Sequence, residues 1–148
     1  MSIAKQLKKS NSRSLPKKPF FFHKATLSTL LFASLIGTYL DLYFVGRNLY
    51  FFPNRPLEDI FTINIVFTLG VLPIYTHMFI MLIKNLTFFK RFLFIVLMSY
   101  LFTLIEEQSE YYGFFHHSEG WNHMYSFYGY LLFMISVWRF YRWMGERI

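Results

Sequence analysis

The sequence predicts an all-α fold, an integral membrane four-helix bundle. Three observations predict it. Apolar residues make up 55% of the 148 and aromatic residues 23%, with 20 Phe and 11 Tyr, drawn out into long apolar runs. Basic and acidic residues fall on opposite sides of those runs. Each run also carries one small or polar stripe at helical spacing. The length leaves room for one domain. The absence of cysteine excludes disulfides, thiolate metal sites and thiol catalysis. A net charge of +7 would suggest nucleic acid in a soluble protein. Here the positive charges sit in short segments beside apolar runs, so they serve membrane topology and imply no nucleic-acid partner.

Residues 1–24 are polar and basic, with Lys5, Lys8, Lys9, Arg13, Lys17, Lys18 and Lys24 interleaved with serines and Pro16. They read as a disordered cytoplasmic tail lying near anionic lipid. A cleaved signal peptide fits less well, because the basic region is long and no small-x-small site follows the first apolar run. The spans then run over about 25–45, 57–83, 86–105 and 121–138. Within the second, residues 60–83 are uninterrupted and would reach about 36 Å as a helix. The apolar part of the third, 92–105, is short and draws on residues 86–89. Pro73 predicts a kink in the second span.

Charge counting orients the chain. With the N-terminus inside, 13 of the 15 Lys and Arg lie on the inner side, and only Arg47 and Arg55 lie outside. Seven of the eight acids (Asp41, Glu58, Asp59, Glu106, Glu107, Glu110 and Glu119) fall at the outer end. The Lys/Arg bias predicts a multi-pass cell-membrane protein with both termini cytoplasmic. Trp121, Trp138 and Trp143 fall near span ends, as interfacial aromatics do.

A helix advances 100° per residue, so positions i, i+3, i+4 and i+7 share a face. Ser34, Gly37, Thr38 and Asp41 share one in the first span. Asp59, Thr62, Gly70, Pro73 and His77 do so in the second, Ser99, Thr103, Glu106 and Glu110 in the third, and Ser126, Gly129 and Tyr130 in the fourth. Small residues and hydroxyls on such faces serve helix packing. The carboxylates ask for more, since an acid inside a membrane costs about 2.5–3.5 kcal/mol at the centre on insertion scales. If the four faces meet, Asp41, Asp59, Glu106 and Glu110 converge near the outer surface. Trp121 and His123 would roof them, and Arg47 and Arg55 stand near enough in sequence to pair with them. The expectation is an outward-opening polar pocket; the alternative is a set of solvated span ends, with Asp41 the exception because of its depth.

Three chemistries suit these residue types. Glu106 and Glu110, followed closely by His116, His117 and above all His123, offer carboxylate and imidazole ligands for zinc, manganese or iron, although the spacing forms no H-E-x-x-H or E-x-x-H motif. His116 and His117 are adjacent, and on a helix their rings would point apart. Asp41, Thr38, Asn64, Thr68 and His77 could supply a polar track for protons or cations. Arg55-Pro56-Leu57-Glu58-Asp59 opens the second span, with proline and acids where a helix start favours them. That stretch resembles the proline–apolar–paired-acid motif of the small bacterial lycopene cyclases, with Asp where that family has Glu. The resemblance implies Glu58 and Asp59 as acids that protonate an isoprenoid double bond. No phosphate-binding glycine loop and no serine triad is present.

A broader likeness runs through Asp41, the aromatic-Pro turn Tyr50-Phe51-Phe52-Pro53, Leu72-Pro73, Glu106-Glu107, Tyr112-Gly113-Phe114 and the run Trp121-Asn122-His123-Met124-Tyr125-Ser126-Phe127. Over about residues 30–140 the chain resembles a family of small multi-pass membrane proteins of spore-forming Bacillota that has no assigned function. The likeness implies a bacterial plasma-membrane protein and brings no catalytic residues. The functional expectation is a non-enzymatic accessory or scaffold protein whose partners are the lipid bilayer and a membrane protein or further copies of itself. The alternative is a small membrane-embedded transporter or enzyme, metal-dependent or cyclase-like, using the outer acidic pocket. The sequence names no cofactor.

Overall fold

In the computed structural model, residues 23–146 are described, so almost all of the expected basic tail lies outside the described residues. Four helices carry the fold: α1 (Lys24–Gly46), α2 (Leu72–Ile83), α3 (Phe88–Tyr111) and α4 (His123–Glu146). Two-residue strands, β1 (Tyr50–Phe51) and β2 (His116–His117), pair antiparallel with Tyr50 opposite His117. The all-α expectation holds, with this short ribbon added. Two helices, α1 and α3, are long and apolar enough to cross a membrane, and the helical run Phe67–Ile83 is shorter. α4 is as long as α3. Its middle, residues 131–137, is apolar, while Tyr, Trp and the arginines Arg139 and Arg142 crowd its two ends and lower its mean hydropathy.

The helix bounds depart from expectation mainly in the second span. Residues 57–64 are turns and irregular chain, not helix. Leu57 holds a left-handed backbone, φ 57°. The Arg55 guanidinium donates to the carbonyls of Phe61 at 2.6 Å, Phe52 at 2.8 Å and Glu58 at 3.2 Å, which holds the loop in place. Helix begins only after Asn64, whose side-chain oxygen accepts the Phe67 N–H at 3.1 Å as an N-cap does. The chain then passes through a π-helical turn, Phe67–Val71, just before Pro73. Proline lacks an N–H and crowds the carbonyl four residues back, and a wider turn relieves both. This wide turn takes the place of the expected kink. α3 runs six residues past its expected end, and α4 eight residues past its own.

The core is small and layered. Ala33, Phe79, Ile80, Ile83, Ile95, Met134 and Val137 form its apolar centre. α4 packs against α1 and α3, and α1 also packs against α2. α2 reaches α3 through rings, with Tyr75 on Phe102 at 4.3 Å and Phe79 on Phe94 at 5.9 Å. Gly37 lets α1 approach α2, because a Cβ there would stand 2.4 Å from Leu72 Cδ2. Two buried hydroxyls are satisfied locally: Thr29 donates to the Ala25 carbonyl at 2.7 Å and Ser99 to that of Ile95 at 2.8 Å. At the end holding the α2–α3 turn, Arg91 donates to the Leu86 carbonyl at 2.7 Å and lies over the Trp138 ring at 4.5 Å. The β1–β2 ribbon closes the opposite end.

Candidate functional site

The ribbon end gathers polar groups from every part of the fold except α2. Its architecture starts at the C-terminus of α3. Gly113 has φ +73°, its N–H donates to the Glu110 carbonyl at 2.9 Å, and the Phe114 N–H donates to that of Ser109 at 2.9 Å. This pair of bonds around a left-handed glycine is a Schellman stop. The Asn54 side chain ties the first loop to it by donating to the Gly113 carbonyl at 3.0 Å. The chain then turns back as β2 against β1. On a strand, neighbours point to opposite faces. His116 therefore faces out, its side chain 57% exposed, while His117 faces in, at 5%.

His117 is the hub. Its Nδ1–H donates to Glu110 Oε2 at 2.9 Å, and its backbone N–H donates to the other oxygen, Oε1, at 2.9 Å. Its Nε2 lies 3.0 Å from Glu106 Oε1 but outside hydrogen-bonding geometry, so this buried nitrogen has no hydrogen-bond partner. The Trp121 indole stacks on the imidazole at 5.0 Å with the rings 13° apart. Burial works against the charged imidazole, but Glu106 and Glu110 together outweigh it and raise its pKa above the ordinary histidine value.

Glu106 ties α3 to α4. Ser126 donates to its Oε1 and Tyr130 to its Oε2. Trp121 Nε1 donates in turn to Ser126 Oγ at 3.0 Å. Asp41, near the end of α1, accepts from the Tyr50 hydroxyl at 2.5 Å through Oδ1, while its buried Oδ2 has no hydrogen-bond partner. Burial first, then the Asp41 carboxylate, raise the Tyr50 phenol well above its ordinary range, so Tyr50 stays a donor. The Tyr50 ring packs on Phe44, Phe52, Phe115, His117 and Trp121, which makes an apolar wall beside the polar groups. His123 opens α4, where the Asn122 side chain caps the helix by accepting the Met124 N–H at 2.9 Å. Its ring lies 5.4 Å from that of His117, edge to face, and its Nδ1 is 3.9 Å from Glu107 Oε1. Beside it, between α3 and α4, a cavity of about 260 Å³ is lined by Thr103, Glu107, His123 and Phe127 among others.

Of the residues expected to form the pocket, Asp41, Glu106, Glu110, Trp121 and His123 come to this end together, with Trp121 as the roof. Asp59 does not join them. It is exposed on the loop after Arg55, on the rim of a shallow open groove formed by residues 54–59. Glu58 is exposed on the same loop, because the helix meant to carry both acids starts later. The cyclase-like motif is therefore a solvent-facing turn. Arg47 and Arg55 are engaged elsewhere: Arg47 lies over Tyr43 at 5.5 Å, and Arg55 holds carbonyls. His117, Tyr50, Ser126 and Tyr130 complete the cluster. Ser126 and Tyr130 were on the expected polar face of α4, whereas nothing in helical periodicity marked His117 or Tyr50. Together, Glu106, His117 and His123 form a group that could hold a metal ion, each offering one ligand atom, all within 4.8 Å of one another.

No protein-family model, no curated protein and no solved structure matches the chain.

Proposed function

We propose that the chain is a multi-pass protein of a bacterial plasma membrane, with all four helices crossing, both termini cytoplasmic and the ribbon end outside. We further propose that it acts there as a non-enzymatic accessory or scaffold protein. The observation that carries the membrane reading is the inverted placement of polarity. Leu35 is 69% exposed, Ile74 65% and Leu132 65%, whereas Thr29, Thr76 and Ser99 are at most 1% exposed. Water would penalise that surface by about 25 cal/mol per Å² of apolar area, while lipid tails carry no such penalty. The charge bias of the loops supports the orientation, and the resemblance to membrane proteins of Bacillota supports the compartment. α2 is the short member. Phe67–Ile83 spans about 25 Å against a hydrocarbon core of about 30 Å, a mismatch that local thinning or flanking residues accommodate.

Because the chain has no cysteine, single cysteines report topology cleanly. Glu119→Cys should react with an impermeant maleimide in intact cells, and Asn85→Cys only after permeabilisation. The reverse pattern would invert the orientation, and recovery of the protein in the soluble fraction would overturn the membrane reading. The scaffold reading predicts that a photocrosslinker placed at Leu35, Ile74, Leu97 and Leu132 in turn captures a discrete protein, or a second copy, from one helix face. Lipid adducts alone from all four positions would refute it.

One observation favours a second reading, in which the ribbon end is a binding or reactive site. The polar cluster is nearly closed on itself, yet two buried atoms, Asp41 Oδ2 and His117 Nε2, are left without hydrogen bonds. Such groups cost about 1–3 kcal/mol each when left unsatisfied, and in a native protein they call for a specific explanation.

A further inference from the structure

The geometry points to a divalent transition-metal site at the ribbon end, with Glu106, His117 and His123 as ligands and Glu110 as the group that positions His117. This deepens the second reading above and does not depend on whether the helices cross a bilayer.

Three independent features converge. The first is the ligand set. One oxygen of Glu106 and one nitrogen each of His117 and His123 lie within 4.8 Å of one another. A tetrahedral zinc with ligands at about 2.1 Å separates its donors by about 3.4 Å, so these side chains need close in by only about 1 Å or so. Glu106 sits on α3, His117 on β2 and His123 at the start of α4, so the donors approach from three separate elements.

The second feature is the state of His117. Its side chain is 5% exposed, and its Nδ1–H is committed to Glu110 at 2.9 Å. That bond makes Nδ1 the donor to Glu110 and leaves Nε2 as the ring nitrogen directed into the cluster. There it faces Glu106 Oε1 at 3.0 Å without hydrogen-bonding geometry. An approach this close calls for positive charge between the two atoms, a proton in the metal-free protein or a metal ion in its place. A histidine that gives one ring N–H to a carboxylate and keeps its other nitrogen for the metal is the usual arrangement at a metal site. Glu110 also accepts the His117 backbone N–H at 2.9 Å. The outer carboxylate thus holds the strand as well as the ring.

The third feature is access. His123 is the exposed member, its side chain 47% open, and it borders the cavity between α3 and α4. Its Nδ1 stands 3.9 Å from Glu107 Oε1, too far to be committed to a hydrogen bond. Two imidazoles and one carboxylate, with a cavity on the open side, make a three-ligand set that leaves a position for water or another small ligand. Imidazole and carboxylate without thiolate suit zinc, iron(II) or manganese(II), and zinc binds most tightly of these three.

The test uses the full-length protein, purified in mild detergent without a histidine tag, stripped with a chelator and titrated with zinc. A parallel titration uses cobalt(II), whose visible bands report low-coordinate nitrogen and oxygen ligation. The expected result is one ion per chain, with the cobalt spectrum saturating at the same ratio and reversed by zinc. His123→Ala, at an exposed position that should not threaten folding, should lose stoichiometric binding, as should His117→Gln. Glu110→Gln should retain the site with affinity weakened about 10–100-fold, the effect expected of a supporting carboxylate. His116→Ala, one residue away but facing out, should bind as the parent does. Failure to bind one equivalent, or binding that survives both His123→Ala and His117→Gln, would overturn the assignment.

Discussion

Glu106→Gln tests the idea that one carboxylate holds α3 to α4. Glu106 accepts from Ser126 through one oxygen and from Tyr130 through the other. A hydrogen bond to a charged acceptor contributes about 1.5–3 kcal/mol, and a neutral one about 0.5–1.5. Glutamine keeps the shape and removes the charge. Only the amide oxygen still accepts, so one bond drops by about 1 kcal/mol and the other, about 2 kcal/mol, is lost, and the variant should lose about 3 kcal/mol. The amide nitrogen adds no acceptor, and Ser126 already accepts from Trp121, so the local network offers little compensation. Tyr130→Phe should cost about 2 kcal/mol in the parent but only about 1 in the Glu106→Gln background, a coupling of about 1 kcal/mol. The assay is reversible unfolding in mixed detergent with a chelator present, followed by the fluorescence of Trp121, which sits inside the network. Glu119→Gln, on the exposed turn before Trp121, is the control and should change nothing. If Glu106→Gln costs no more than Glu119→Gln, or if the double variant is simply additive, Glu106 does not hold the two helices together.

Three further outcomes follow from the same structure. Gly37→Leu forces a side chain into Leu72, which a Cβ alone would meet at 2.4 Å; it should destabilise by about 1–3 kcal/mol, and Leu72→Ala in the same chain should recover part of the loss in the same unfolding assay. Gly113→Ala places a Cβ on a φ of +73°, which costs about 1–2 kcal/mol and shifts the strand that delivers His117, so zinc affinity should fall together with stability. In the metal-free protein His117 carries a raised pKa. Its contribution is therefore fully present below about pH 6.5, the unfolded value, and is lost as pH rises through the folded value. Unfolding free energy should decline with pH above that point, and His117→Gln should flatten the decline; an identical slope in the variant would refute the role given to this imidazole.

What the sequence made legible was what a helix makes periodic. The faces Ser34–Gly37–Thr38–Asp41 and Ser99–Thr103–Glu106–Glu110 turn inward at the expected spacing. Ser34, Ser99 and Thr103 are buried, and Asp41, Glu106 and Glu110 reach the cluster. The start of the second helix was not legible, because residues 60–67 are as apolar as the helix after them. Ile63 is buried in a separate aromatic group with Tyr50, Phe52 and Phe115, so hydropathy alone could not tell loop from helix. Asn64 was the available signal: a side chain able to cap, standing three residues before Phe67. His117 stands among the histidines near the acids, but its place at the centre was not legible for a related reason. Its neighbour His116 would share no face with it on a helix, and the same is true on a strand, but on a strand one of the two is driven fully inward. Gly113 closing α3, with Asn122 opening α4, marked the intervening residues as non-helical.

Whether the ribbon end is only a clasp can be judged from what a clasp would require. Joining α1, α3 and α4 at one end needs acceptors matched by donors, and most of the cluster meets that need: Tyr50 to Asp41, Ser126 and Tyr130 to Glu106, Trp121 to Ser126, and His117 to Glu110. A buried imidazole nitrogen set against a carboxylate oxygen at 3.0 Å stabilises the fold only while a proton or another cation lies between them. Replacing buried ionic groups by apolar ones of similar volume is often neutral or stabilising, so retaining two acids around one histidine points to something other than stability. Three such features meet at this corner. His117 Nε2 lacks a hydrogen bond, His123 Nδ1 is out of reach of Glu107, and the cavity between α3 and α4 opens beside them. Away from this corner some buried groups close on their own helix, as Ser99 and Thr103 do, and others such as Thr76 Oγ1 and Arg91 Nε lack a hydrogen bond, but these offer no ligand set for a cation. The incomplete part of the network is therefore the part a cation would complete, and the zinc titration distinguishes a clasp from a site.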